Sequence, residues 1–177
     1  VRFHLQQEGR ISLQTSGNGN RREVLAALYS VEVARSMLEV LAEEDGIQVT
    51  GFVSPTSLTR SNRREITFFI NGRPAQDSSL TTAVLQAYHT LLMVGRFPLG
   101  TLFLELDPEA VDVNVHPTKA EVRFRDSSRV FSAVQRAVRR AILTHTPVPA
   151  LETTQLRWSP RSPWPGAPPP AHLHWEM

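Results

Sequence analysis

Three stretches of this sequence have residue types and spacings that could do chemistry. The first is Val111–Lys119, VDVNVHPTK. Lys119 is the only lysine among the 19 basic residues; the rest are arginines. An ammonium is a compact point charge suited to a single oxygen, whereas a guanidinium is a planar fork. In a chain so biased, a position that needed only positive charge would carry arginine. The plainer reading of the spacing alone is an ordinary solvated loop lysine. The second stretch is Ser16-Gly17-Asn18-Gly19-Asn20 ahead of a helical run. Such a loop can cradle a phosphate at a helix N-terminus, but no Gly-Lys-Ser/Thr and no G-x-G-x-x-G occurs. It reads as a turn that starts a helix. The third is His172-x-His174. Two histidines in a proline-rich tail fall short of a defined metal site, so no metal is expected.

The elements around Lys119 follow from periodicity. Val111, Val113 and Val115 alternate with Asp112, Asn114 and His116, the pattern of a half-buried strand. Pro117 cannot continue the ladder, and Ala120–Phe124 reads as the returning strand. Lys119 therefore belongs to a connection between two strands. Further strands are expected at 1–7 and 10–15, at 39–43 and 47–54 around Asp45-Gly46, at 64–70 before an Asn71-Gly72 turn, and at 99–106. Helices are expected at 21–29, 32–38, 80–94 and 128–144. In the third, Leu80, Ala83, Val84, Ala87, Tyr88, Leu91 and Leu92 form one stripe. Asp77, Ser78 or Ser79 can cap its start and Gly95 can end it. In the last, Phe131, Val134, Val138, Ala141 and Ile142 make the apolar side, with Asp126 or Ser127 as cap.

Composition bounds the rest. The 177 residues are 41% hydrophobic and 20% charged, enough for one domain with a real core. Net charge is +2, but a pI near 9.7 and the arginine bias point to basic surfaces and phosphate-bearing partners. The absence of cysteine excludes disulfides and thiolate metal sites and fits a cytosolic protein. No run approaches membrane-spanning length, and no signal peptide is visible. The chain starts at Val1 in a strand-like run and is expected to be a piece of something longer. From Pro147 onward lie eight of the 13 prolines and all three tryptophans. We expect a domain over 1–146 and the start of a Pro/Trp-rich linker over 147–177.

FFINGRPAQD (Phe68–Asp77), AVLQAYHTLL (Ala83–Leu92), GRFPL (Gly95–Leu99), LDPEAVDVNVHPTKAEVRF (Leu106–Phe124) and the closing helix resemble, in that order, the second domain of the MutL family of DNA mismatch repair proteins. SGNGN and GFVSP (Gly51–Pro55) fit its earlier part. The resemblance implies an α+β, ribosomal-protein-like transducer fold: a mixed sheet with helices on one face and a left-handed β-α-β crossover, a rare hand. It implies a preceding GHKL ATP-binding domain, and that Lys119 contacts the γ-phosphate of ATP held there. His116, Pro117 and Thr118 would shape the loop and Asn114 would help hold it. The family's nucleotide-binding and endonuclease motifs are missing from this chain. ATP and Mg2+ are therefore expected with the full-length protein, with no cofactor and no catalytic residue in the isolated chain.

The resemblance also implies non-specific DNA binding, through candidates Arg60, Arg63, Arg64, Arg73, Arg129, Arg136 and Arg140. Such contacts would be to phosphates and salt-sensitive. Each of these arginines can equally be solvated or paired with a carboxylate such as Glu65 or Asp126. Some relatives carry a basic residue near the positions of Ser78 and Ser79; this chain does not. Implied partners are the preceding domain, DNA, the mismatch-recognition protein MutS and a second copy, in a bacterial cytoplasm at the nucleoid, with no membrane. Two alternatives share the fold: the transducer of a type II topoisomerase, whose loop reads Q-T-K rather than H-P-T-K, and an RNA-binding module.

Overall fold

Among the described residues the strands build one five-stranded mixed sheet and three two-stranded pairs. The computed structural model describes residues 2–112 and 122–145, all within one unit, Val1–Pro147. The strands are β1 (His4–Gln7), β2 (Arg10–Gln14), β3 (Leu38–Glu44), β4 (Ile47–Val53), β5 (Thr59–Arg60), β6 (Ile66–Ile70), β7 (Arg73–Ala75), β8 (Phe97–Pro98), β9 (Gly100–Glu105), β10 (Val111–Asp112) and β11 (Arg123–Phe124). The helices are α1 (Arg21–Leu28), α2 (Val31–Ser36), α3 (Ser78–Ala87) and α4 (Ser127–His145), with 3-10 turns at Arg63–Glu65 and Pro108–Ala110.

The main sheet has the order β3-β4-β9-β6-β7. β6 and β9 run parallel and the other neighbours antiparallel, so the parallel pair that a β-α-β crossover needs is present, with α3 between its strands in sequence. Side chains alternate across this sheet. Val40, Val49, Leu102, Leu104, Phe68 and Ile70 face the core. α3 and α4 cover that face. α4 contributes Val130, Ala133, Val134, Ala137, Val138, Ala141 and Ile142, spaced as one helical stripe. Phe131, expected on that apolar side, is only partly buried and packs against the core from its edge.

α1 and α2 attach by a different device. Leu25, Ala34, Met37, Phe52 and Leu99 make a second, smaller core. The Arg21 guanidinium lies 3.9 Å above the Phe103 ring, which stacks on Phe69 at 5.0 Å. Its Nη1 also donates to Thr50 Oγ1 at 3.0 Å. Phe103 alternates with Leu102 and Leu104, so this contact is on the sheet's other face. Arg22 lies over Phe52 and donates to the carbonyls of Ala34 and Met37. These arginines act as spacers whose aliphatic stems and planar heads pack on aromatic rings.

Several boundaries differ from expectation: the helix expected over 32–38 runs Val31–Ser36, with Leu38 already in β3, and the first strand is His4–Gln7. The helix expected over 80–94 ends at Ala87. Tyr88 is buried and its hydroxyl donates to the Ser54 carbonyl. Arg139 Nη1, from α4, donates to the Ala87 carbonyl at 2.9 Å and the His89 carbonyl at 3.4 Å, satisfying the open C-terminal end of α3. Thr90 then turns through φ 70°, and Leu91 and Leu92 reach the core from turns rather than from a helix. The strand expected from Arg64 starts at Ile66, because the Asn62 side chain accepts from the Arg64 N–H at 3.0 Å and closes a 3-10 turn first. Of the three cap candidates Asp77, Ser78 and Ser79, Asp77 is the cap, accepting from the Leu80 N–H at 2.7 Å. The expected 147–177 linker lies outside the described residues.

Candidate phosphate-contacting site

Asn114, His116, Pro117, Thr118 and Lys119 lie outside the described residues. The structure describes the base on which their segment stands. Val111 pairs with Phe124 and Asp112 with Arg123, antiparallel, in the register expected of two hairpin arms. Leu106, Val111, Val122 and Phe124 all pack against the main core, so both arms are seated on the sheet and α4. The Arg125 N–H donates to the Ala110 carbonyl at 2.9 Å and closes the base. Asp107 caps the intervening 3-10 turn through the Glu109 N–H at 2.9 Å. Asp126 opens α4 beyond the second arm. Its carboxyl accepts from the Arg129 N–H at 3.0 Å and from Ser128 Oγ, and these bonds hold it below the usual carboxylate range.

The candidate arginines fall into two groups. Arg129, Arg136 and Arg140 share one side of α4, as their spacing requires, and all three converge on the β3–β4 turn. Arg136 Nη2 lies 2.7 Å from Asp45 Oδ2 and its Nε 3.4 Å from Glu44 Oε2. Arg140 Nη2 lies 2.6 Å from Glu44 Oε1. Arg129 donates to the Asp45 carbonyl. The helix face that reads as basic in sequence is therefore paired within the molecule. The ion pairs of Arg136 and Arg140 are made with Glu44 and Asp45, while Asp126, which the sequence offered, interacts with the Arg129 charge.

Arg63, Arg64 and Arg73 are exposed, and their guanidiniums have no partner among the described residues. Arg63 and Arg64 line a cleft of about 800 Å³ with Asp77, Ser78, Thr82 and Val122. That cleft joins the 3-10 turn, the first turn of α3 and the second hairpin arm. Arg60 is half-buried, donating to its neighbour Thr59's carbonyl. It lies near Tyr29, whose hydroxyl is held above its ordinary range by burial and by Glu65, with Arg60 pulling the other way.

The glycine loop at 16–20 is filled by its own chain. Glu23 accepts from Ser16 Oγ at 2.8 Å, Asn18 Nδ2 at 2.9 Å and Asn20 Nδ2 at 3.2 Å. Asn20 caps α1. These donors lower the Glu23 pKa, and the carboxylate occupies the loop's own side-chain donors. No cluster of three or more candidate metal ligands occurs among the described residues, and no helix there is long and apolar enough to cross a membrane.

Arg21, Arg22, Arg139 and Asn71 carry structural roles that the sequence reading missed. For the arginines no local signal exists, because their partners lie on other elements. Asn71 was legible only as a turn residue.

Residues 25–143 match the family model described as DNA mismatch repair protein, C-terminal domain. The chain is 39% identical over 162 residues to the DNA mismatch repair protein MutL of Geobacillus kaustophilus (strain HTA426), covering 92% of this chain and 26% of the relative. It is 41% identical over 158 residues to MutL of Lactococcus lactis subsp. cremoris (strain SK11), covering 89% and 24%. It thus spans about a quarter of the length of these relatives. Its fold is similar to the crystal structure of the N terminal domain of a DNA repair protein, with TM-score 0.68 and 22% identity over 81% of this chain and 48% of that one. The family match spans well over half of the chain and takes in the sheet, α3, both hairpin arms and most of α4, so the chain belongs to the DNA mismatch repair protein C-terminal domain family.

Proposed function

We propose that this chain is the transducer of a mismatch repair ATPase of the MutL kind: it senses ATP bound by a preceding GHKL domain and contributes to non-specific DNA binding. The observation that carries this reading is the hairpin base. Two arms seated on the core by Leu106, Val111, Val122 and Phe124 bracket a nine-residue segment that holds the chain's lone lysine. A rigid base is what a sensor needs, since a charge must reach one oxygen on another domain and transmit the contact to the sheet. A charge-assisted hydrogen bond of this kind is worth roughly 1.5–3 kcal/mol. That is enough to bias the angle between two domains while the γ-phosphate is present and to release it after hydrolysis.

In this reading the nucleotide and Mg2+ are held by the preceding domain, and Lys119 is this chain's contribution, with Asn114, His116, Pro117 and Thr118 shaping its segment. DNA phosphates meet Arg63, Arg64 and Arg73 first, because these exposed guanidiniums have no partner among the described residues. Arg60 stands near the same turn. Arg129, Arg136 and Arg140 brace α4 against the β3–β4 turn. The full-length protein works as a homodimer with MutS in the bacterial cytoplasm.

The test is ATP turnover by the full-length protein, wild type against Lys119→Ala, with and without duplex DNA. The expected result is a loss of roughly 10–100-fold in turnover with the fold intact, from the energy above, and a rate that responds to DNA. An unchanged rate removes Lys119 from the mechanism. Preference for structured RNA over duplex DNA would favour an RNA-binding module on this fold.

A further inference from the structure

Asn71 occupies the first position of the β6–β7 turn with φ 47°, a left-handed conformation that asparagine tolerates better than most residues. Its side chain is spent elsewhere. Oδ1 accepts from the Leu106 N–H at 3.0 Å, and Nδ2 donates to the Leu106 carbonyl at 3.0 Å. Its own N–H donates to the Leu104 carbonyl at 2.9 Å. The last backbone rung of the parallel β6–β9 pair is Ile70 with Leu104. The Asn71 side-chain amide therefore adds one more rung at Leu106, two residues beyond the last paired residue, Leu104, and one past the end of β9. Leu106 is followed at once by Asp107, the capped 3-10 turn and β10. One side chain thus holds both backbone polar groups of the residue through which the chain enters the hairpin.

We propose that Asn71 is a positioning residue that sets the β10–β11 hairpin against the sheet, and through it the Lys119 segment; this rests on reading Lys119 as the phosphate sensor. The clasp has a direction. An amide can donate and accept at once, whereas a carboxylate can only accept. Asn71→Asp keeps the size, the turn and the acceptor for the Leu106 N–H, but sets an oxygen against the Leu106 carbonyl. Asn71→Gly keeps the positive φ and removes both side-chain bonds.

The experiment uses the full-length protein with Asn71→Asp, Asn71→Gly, Lys119→Ala and the Asn71→Asp/Lys119→Ala pair. It reads backbone hydrogen exchange and steady-state ATP turnover. We expect Asn71→Asp to speed exchange about tenfold over 106–112 and 123–125 while α3 and α4 keep their protection. We expect kcat to fall about tenfold with KM within about twofold; a 1 Å misplacement can cost ~100-fold. The double variant should be no slower than Lys119→Ala, because Asn71 then has nothing left to position.

Unchanged exchange in the arms overturns the clasp. A tenfold loss that persists in the Lys119→Ala background overturns action through Lys119. Unchanged kcat in Asn71→Asp, while Lys119→Ala is impaired, reduces Asn71 to a structural role and overturns the proposal alone. Unchanged turnover in Lys119→Ala overturns the sensing reading and the proposal with it. Should Asn71→Asp lose protection globally, Asn71→Gly carries the same comparisons.

Discussion

Replacing Arg63 and Arg64 together with alanine separates the two arginine groups by a property that unfolding does not mimic. Both are exposed and unpaired among the described residues, on one cleft with the first turn of α3. If each contacts one phosphate, the slope of log K against log salt falls by about 0.9 per residue, about 1.8 for the pair. Between 50 and 200 mM salt that is about 3.5-fold per contact, so the wild type should lose ~12-fold more affinity than the variant over this range. The control is Arg136→Ala with Arg140→Ala. These two pair with Glu44 and Asp45, and the Glu44 side chain is only 14% exposed while the arginines are 50% and 61% exposed. Discounted for solvent screening, that network contributes about 1–2 kcal/mol, or roughly 3–6 °C of Tm for a domain of this size. Its loss should leave the salt slope unchanged. The assay is duplex DNA binding by the full-length protein at four or more salt concentrations, with a thermal melt of each variant. A slope that ignores Arg63 and Arg64 but falls when Arg136 and Arg140 are removed would refute the assignment, because it would mean that the ion pairs at the β3–β4 turn open in favour of DNA.

Gly51 has φ 139°, and a Cβ there would stand 2.1 Å from the Thr101 carbonyl oxygen; Gly51→Ala should cost about 3 kcal/mol or more in a urea titration, and a loss under 1 kcal/mol would mean that the strand relaxes freely. Tyr88→Phe leaves the Ser54 carbonyl without its hydroxyl donor and should cost about 1–2 kcal/mol. Burial raises the Tyr88 pKa well above its ordinary value. Its contribution is therefore complete below the unfolded-state tyrosine pKa of about 10 and is lost as pH rises beyond it. The wild type should lose stability on the alkaline side more steeply than Tyr88→Phe, measured by denaturant midpoints from pH 8 to 11.

Local chemistry is written in the sequence, and so are the features that local chemistry decides. The strand pair around Asp45-Gly46, the turn at Asn71-Gly72, a cap at Asp77, the first two turns of the α3 stripe and most of the α4 stripe follow from residue types at short separations, and they appear where the sequence places them. The pairing of Val111–Asp112 with Arg123–Phe124 follows in the same way, from alternation on either side of a proline-containing connection. The family motif over Phe68–Phe124 was equally legible, because it is a run of residues in fixed order.

Tertiary contact decided the rest. The helix expected to 94 stops at Ala87, and Arg139, 52 residues later, satisfies the carbonyl left open there. The stripe of Leu91 and Leu92 is kept, but delivered from turns. The Arg129, Arg136 and Arg140 face looked like a basic surface, since helical spacing reports which residues share a side and says nothing of what stands opposite. Only the fold brings Glu44 and Asp45, some 90 residues earlier in the chain, across from it. Asn71 shows the same division within one residue. Its left-handed turn is local and readable, while its grip on Leu106 depends on β9 lying parallel to β6, an arrangement made by the sheet as a whole.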